Sequence, residues 1–303
     1  MKKTILIIAI AFISINTTRA CEICGCGQGN YYFGLMPQFK HHFIGLRYQY
    51  KRFNTVMADD PTQFSRDYYK TMELWGGWNF GKKWQVLAVI PFNFVHQVSD
   101  DGINNNQGIG DIALMVNYKL FNKNTTTAKG RSVAQQLWIG AGVKMPTGKF
   151  NVDATDPALV SLANTQTGTA STDFMLNAMY NISINKVGIN TNTSYRLNTA
   201  NSDKYTFGNR FFASSIASYT IKKNQVSILP NLGIMYENTA INKLSKQKVE
   251  QTGGNLLSAS GGVEIGYKKF TLGTNLQLPL SQNFASGQTV VKLKGMMHIT
   301  YAF

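Results

Sequence analysis

The chain has 303 residues, a formal net charge of +15, 44% hydrophobic and 12% aromatic residues, and 27 glycines against only 7 prolines. That length accommodates two soluble domains or one large all-β domain, and plentiful Gly, Asn, Ser and Thr without a helical heptad pattern favour the single sheet. A balance this basic points to nucleic acid or to a charged surface, and the first twenty residues decide between them.

Lys2 and Lys3 precede the apolar run Ile5 to Ile15, and Thr18, Arg19 and Ala20 supply a small-x-small exit. Residues 1–20 therefore read as a secretory signal peptide whose apolar core is too short to span a bilayer. Without Lys2, Lys3 and Arg19, 27 basic residues face 15 acidic ones, a balance of +12. For an exported chain this excludes nucleic acid as the natural partner and leaves outer-membrane lipid, lipopolysaccharide or anionic solutes. No later stretch is long and apolar enough for a transmembrane helix, so a membrane location requires a closed sheet, in which no backbone amide is left unpaired in lipid.

Residues 21–41 form a separate Cys-rich segment with Cys21, Cys24 and Cys26, expected to have little regular structure and able to act as a plug or a metal-binding tail. From His42 to Phe303 apolar and polar residues alternate with the period of two that a strand requires. The first predicted strand, about 42–53, turns Ile44, Leu46, Tyr48 and Tyr50 outward. The second, about 67–80, turns out Met72, Leu74, Trp78 and Phe80. The third, about 84–97, is apolar at both parities, and its facing is open. The fourth, about 108–121, separates Leu114, Val116 and Tyr118 from Asp111, Met115 and Asn117, and the fifth, about 134–147, presents Leu137, Ile139 and Val143 with Lys144 inside.

The second half repeats the pattern. Strands are expected at about 172–183, 186–198, 207–222, 225–237, 254–267 and 269–282. A twelfth, about 290–303, carries an apolar face of Val291, Leu293, Met297, Ile299, Tyr301 and Phe303. Tyr301 and Phe303 resemble the C-terminal signal that barrel-assembly machinery reads in bacterial outer-membrane proteins. The turns after the second, sixth, eighth and tenth strands are short, and those after the odd strands are longer and polar, up to about 148–171. This is the asymmetry of periplasmic turns and extracellular loops, with Asn122 to Ser132 as a longish loop on the short side. The expected fold is an all-β, twelve-stranded antiparallel transmembrane barrel over residues 42–303. A soluble sandwich or propeller also alternates, but its strands usually run about 5 to 6 residues.

Two stretches are more specific. Gly108-Ile109-Gly110-Asp111-Ile112, leading to Asn117-Tyr118-Lys119-Leu120, and Gly140-Ala141-Gly142-Val143-Lys144-Met145-Pro146-Thr147-Gly148 resemble paired signatures of the MetA-pathway of phenol degradation family of outer-membrane barrels. That family is distantly like the fatty-acid and aromatic-hydrocarbon channels. The resemblance implies a bacterial outer-membrane location and passive transport of a small or hydrophobic solute.

Candidate site residues fall into two groups. Facing the bore are Arg47, Lys51, Glu73, Asp111, Lys119, Lys144, Arg196, Arg210, Glu237, Glu264, Lys292 and Lys294, which either bias it toward anions or simply solvate it and pair across it. Met115, Met296 and His298 also point inward, as lumen filling or as an extension of a metal path. The second group, Cys21, Cys24 and Cys26 with His41 and His42, could grip copper or zinc, while an oxidising compartment offers a disulfide as the alternative. Tyr48, Tyr50, Trp78, Tyr118 and Tyr219 read as interfacial girdle. None of His41, His42, His96 and His298 sits in a nucleophile setting, and no Gly-x-Ser-x-Gly elbow occurs, so an enzyme is not expected and no cofactor is required. The leading expectation is an outer-membrane channel. A metal-binding outer-membrane protein and a non-transporting adhesion barrel are the alternatives. A bore of this size is narrow, and side chains, the 148–171 loop or residues 21–41 are expected to fill much of it.

Overall fold

The computed structural model describes residues 41–128, 130–151 and 160–303. The barrel strands are β1 (Phe43–Val56), β2 (Phe64–Phe80), β3 (Trp84–Ser99), β4 in two segments (Gly102–Ile109 and Ala113–Thr126), β5 (Ser132–Lys144) and β6 (Asp173–Ile184). They continue as β7 (Val187–Leu197), β8 (Arg210–Tyr219, prolonged by Ile221–Lys223), β9 (Val226–Thr239), β10 (Gly254–Tyr267), β11 (Phe270–Phe284) and β12 (Thr289–Ala302). Sequence neighbours pair antiparallel around the sheet, and β12 returns to β1 with Phe43 opposite Ala302 and Arg47 opposite His298. The fold is a closed twelve-stranded antiparallel barrel, so no strand edge faces hydrocarbon.

Strand length and alternation explain the shape. The outward parity carries Ile44, Leu46, Leu74, Leu176, Leu232, Leu276 and Ile299, all exposed. In water such a surface would be a liability; against lipid it is the expected apolar band. Aromatic residues gather at the end where the first strand begins and the last one finishes. There His42 stacks on Trp78 at 4.6 Å, Phe303 meets Trp78 edge-on at 5.5 Å, and Trp84 lies 4.7 Å from Tyr118. The turns at this end are tight, which makes it the periplasmic one. The stretch expected to be a longish loop, Asn122 to Ser132, is also tight: β4 runs on to Thr126, β5 begins at Ser132, and the Thr127 amide bonds the Arg131 carbonyl at 2.9 Å.

Shifts of register adjust the wall at several points. Opposite Arg52 and Phe53, β12 holds one extra residue, because Arg52 pairs with Leu293 and Phe53 with Val291. An extra residue reverses the facing of everything beyond it. Val291 therefore turns inward and is buried, while Lys292 points out and is exposed. The expectation that Lys292 lines the bore and Val291 meets lipid is corrected here, since strict alternation fails at the bulge. Further shifts lie at Leu257/Ser258 and Lys119/Phe121.

At the extracellular end the loops form a small structure of their own. Tyr205–Thr206, Lys243–Leu244 and Gln247–Lys248 make a three-stranded sheet. Ala163, Tyr205, Phe207 and Val249 pack beneath it, with Phe150 and Leu244 at the edge. Buried polar side chains fasten it. The Asn242 side chain accepts the Gly208 amide at 2.8 Å and donates to the Tyr205 hydroxyl at 2.8 Å, and the Asn201 side chain accepts the Tyr205 amide at 2.9 Å.

Candidate functional site

The two glycine-rich stretches meet at the outer end of the bore. The β4 backbone breaks at Gly110-Asp111-Ile112, and the chain after β5 turns inward there. The Thr147 hydroxyl donates to the Gly110 carbonyl at 2.8 Å and accepts the Ile112 amide at 2.9 Å, while the Met145 amide reaches the Ile112 carbonyl at 2.8 Å. Gly148 is needed because a Cβ there would lie 2.6 Å from the Gly168 Cα, so only glycine admits the two backbones side by side.

Asp111 is the hub of this clasp. One of its oxygens accepts the Gly148 amide at 3.0 Å; the other accepts the Thr169 amide at 3.0 Å, the Thr169 hydroxyl at 2.6 Å and Lys144 Nζ at 2.6 Å. Lys144 also meets Asp173 at 2.9 Å, the Ser171 carbonyl at 3.0 Å and the Thr169 hydroxyl. All five side chains are buried. One lysine between two carboxylates, with hydroxyls and amides on the remaining lone pairs, satisfies the condition under which buried charge is tolerated. The segment it holds runs into the bore: the Asn93 side chain donates to the Thr167 carbonyl at 2.9 Å, and Asn104 donates to the Thr165 hydroxyl at 3.2 Å. Part of the 148–171 stretch thus fills the outer lumen.

Below the clasp the lumen has two unlike faces. On β1 to β6 the inward residues include Phe43, Trp75, Leu87, Met115, Trp138 and Met179, each buried in one continuous apolar cluster. Phe43 and Trp75 meet edge to face at 4.9 Å, Arg47 lies 4.9 Å over the Trp75 ring and Lys119 4.6 Å over Trp138. These are ordinary aromatic and cation–π distances. On β7 to β11 the apolar group is smaller, Phe212, Ile216 and Met235, and short polar residues stand around it. Asn192, Ser214, Asn231, Ser260 and Asn275 stand on five successive strands, each buried, and each with a side-chain oxygen or nitrogen that meets no partner among the described residues. Buried amides keep such capacity only where something polar can occupy it.

Ion pairs stand between these faces. Arg47 bonds Glu73, which also accepts the Gln49 amide at 2.9 Å. Lys294 on β12 reaches Glu237 on β9, three strands around the wall, and His298 lies 3.0 Å from Glu264. The positive and negative groups largely cancel, so this ring solvates and braces the bore more than it charges it.

The sequence profile of the outer-membrane family described as "Putative MetA-pathway of phenol degradation" matches residues 62–283. This chain belongs to that family. Among solved structures, this family member is similar to an outer-membrane channel from Pseudomonas putida F1, with 14% identity over 90% of this chain and 100% of that one and a TM-score of 0.62. Looser likenesses, both with TM-scores below 0.5, are the transport unit of the autotransporter AIDA-I from Escherichia coli (0.48, 11% identity, 90% and 94% covered) and the CymD monoaromatic hydrocarbon channel (0.40, 9% identity, 87% and 88% covered). No curated protein sequence matches the chain. Family and fold together place this member in the bacterial outer membrane.

Of the residues singled out from the sequence, Arg47, Lys51, Glu73, Asp111, Lys144, Arg196, Arg210, Glu237, Glu264 and Lys294 are buried on the inward face, and Lys119 is half-buried over Trp138. Met115 belongs to the apolar face, and Met296 packs against Phe212, Ile216 and Met235. Of the sulfur and imidazole candidates, Cys21, Cys24 and Cys26 lie outside the described residues, and His42 Nδ1 accepts the Asn79 amide at 3.0 Å within the girdle. Among the described residues no group of three or more His, Cys, Asp and Glu could hold a metal ion. The apolar face itself was missed, since lumen positions were expected to be polar. Its signal lay in β3, apolar at both parities, which puts Leu87, Val89 and Val95 inside.

Proposed function

We propose that this outer-membrane protein is a passive channel for small, largely apolar solutes that carry a polar group. The observation that carries this reading is the unevenly shared lumen: the large cluster of rings and methionines around Trp75 and Trp138 lies on one side, and on the other a row of amides and hydroxyls with unused hydrogen-bonding capacity surrounds a smaller apolar group. A solute with an apolar body and a hydroxyl or carbonyl exchanges water for like contacts on both sides. A sugar gains little from the Trp75–Trp138 side, and a bare alkane leaves the Asn side unpaired, which costs about 1–3 kcal/mol per buried polar group. The architecture shared with the channel from P. putida supports conduction. The histidine partners support a channel over a hydrolase, because none of the three is set against a hydroxyl or thiol among the described residues: His298 meets Glu264 and its Nδ1 meets nothing, His96 Nδ1 meets Asn105 Oδ1 at 2.6 Å, and His42 Nδ1 accepts a peptide N–H.

On this reading Tyr301 and Phe303 offer the final strand to the assembly machinery, and lipopolysaccharide covers the outer half of the band. The test is uptake of a labelled phenol-class solute by cells with and without the protein, beside Trp138→Gln and Asn275→Leu variants present at equal surface level. Uptake that falls in the Trp138 variant while small-sugar permeation rises supports the proposal; uptake identical with and without the protein overturns it.

A further inference from the structure

The two ends of the barrel differ in charge in a way that the lumen does not account for. At the periplasmic end the Gly81–Lys83 turn carries Lys82 and Lys83, Lys123 lies near the end of β4, and Arg131 stands in the turn before β5. Lys186 follows β6, Lys222 and Lys223 follow β8, and Lys268 and Lys269 follow β10. Each is exposed, and between these strand ends no Asp or Glu occurs in any of the five turns. At the extracellular end both signs are mixed, Asp59, Asp60, Asp100 and Asp101 standing with Lys204, Lys243, Lys246 and Lys248.

The placement of these bases is as telling as their number. Lys83 lies 5.7 Å over the Tyr118 ring with its ammonium 3.3 Å from the hydroxyl, Lys268 lies 5.3 Å over Tyr267, Lys269 5.7 Å over Tyr301 and Lys123 5.9 Å over Phe121. Tyr118, Tyr267 and Tyr301 are on the lipid-facing parity of the wall. The cations therefore rest on the outer flank of the rim, where a girdle of tyrosines marks the headgroup layer, with their stems along apolar surface. Between turns the rim is concave. A cleft of about 500 Å³ joins Lys82 and Lys83 on the rim to Lys119 and Trp138 on the bore side, and one of about 450 Å³ joins Lys186 and Lys222 to Asn190; neither lining contains an acid.

We propose that this rim binds the phosphate of anionic phospholipids in the periplasmic leaflet, phosphatidylglycerol and its dimeric relatives, in preference to zwitterionic lipid. A polybasic belt at headgroup height attracts anionic lipid through its phosphate and is weakened by salt. A soluble anionic partner would be met by lysines directed along the barrel axis; Lys83, Lys268 and Lys269 fold back against rings that face the acyl chains, which favours lipid. The proposal is independent of what passes through the bore.

The test reconstitutes the mature chain in bilayers of brominated phosphatidylglycerol mixed with unbrominated phosphatidylcholine and reads tryptophan quenching. Trp78 and Trp84, both exposed on the lipid face beside the rim, are the reporters. The expected result is a several-fold preference for phosphatidylglycerol that collapses toward unity in 1 M salt. It disappears in a variant with Lys83, Lys222, Lys268 and Lys269 replaced by Gln, and it survives in a variant with Lys243, Lys246 and Lys248 replaced by Gln. Retained heat-modifiable gel mobility shows that both variants are folded. Equal affinity for the two lipids in the natural chain overturns the proposal, as does a preference that persists in the rim variant. Capture of a soluble polyanion by detergent-solubilised protein without any lipid preference overturns it too, and assigns the belt to a periplasmic partner.

Discussion

The wall from β1 to β6 and the wall from β7 to β11 share one backbone plan and differ in what they point inward. The first is filled: Trp75, Trp138, Met115 and Met179 close on one another, and the clasp at Asp111 and Lys144 roofs them over. The second carries a smaller apolar group, Phe212, Ile216 and Met235, and a row of asparagines and serines that keep unused capacity. In a barrel the outward residues answer only to lipid, so selectivity is written into the inward ones. Here the two sides supply opposite solvents to whatever passes.

The largest effect is expected where the filled side is tied shut. Lys144→Met leaves Asp111 and Asp173 buried without their cation, a loss of about 3–5 kcal/mol for a broken buried pair. The inserted stretch should come loose and single-channel conductance in planar bilayers should rise several-fold; an unchanged conductance would mean that the stretch does not limit flow. Next comes the apolar face itself. Trp138→Ala removes a fully buried ring, a change worth about 3–5 kcal/mol in a closed core, and less here because water can enter. Liposome swelling should show faster sugar entry and a weaker preference for apolar solutes.

A smaller change is expected from the opposite wall. Asn231→Leu combined with Asn275→Leu exchanges imperfectly paired amides for apolar groups of similar size, which is close to neutral for stability. Thermal unfolding should move little, while ion conductance falls about twofold through lost solvation at the wall. If conductance is untouched, the polar side is decoration and the contrast between the walls loses its functional meaning. Least of all is expected from Cys24→Ser with Cys26→Ser: both faces stay intact, so conductance stays the same, and any copper or zinc carried by the purified chain is lost.

Strand number, order and most facings could be read from the residues because a period of two leaves little choice once one side must be oily. The failures have local physical causes. Lys292 was assigned to the bore because alternation carries no trace of a bulge, and one extra residue in β12 reverses everything beyond it. The Gly108–Ile112 and Gly140–Gly148 stretches were recognisable, but their mutual bonding was not, since pattern says nothing about which loops meet. The apolar face escaped because the interiors of such barrels are expected to be polar, and Trp75 and Trp138 drew no attention. That rule fails where rings and methionines pack on one another inside the bore.

The three-stranded outer sheet has a practical consequence. Its tip, Ser245 and Lys246, turns through two residues with φ of 49° and 72°, the mirror-image geometry that favours Asn-Gly. Because that hairpin has its own small core, a foreign peptide spliced between Leu244 and Gln247 would be carried outside the cell on a rigid stalk. It would leave the conduit beneath undisturbed, making the hairpin a natural platform for epitope display.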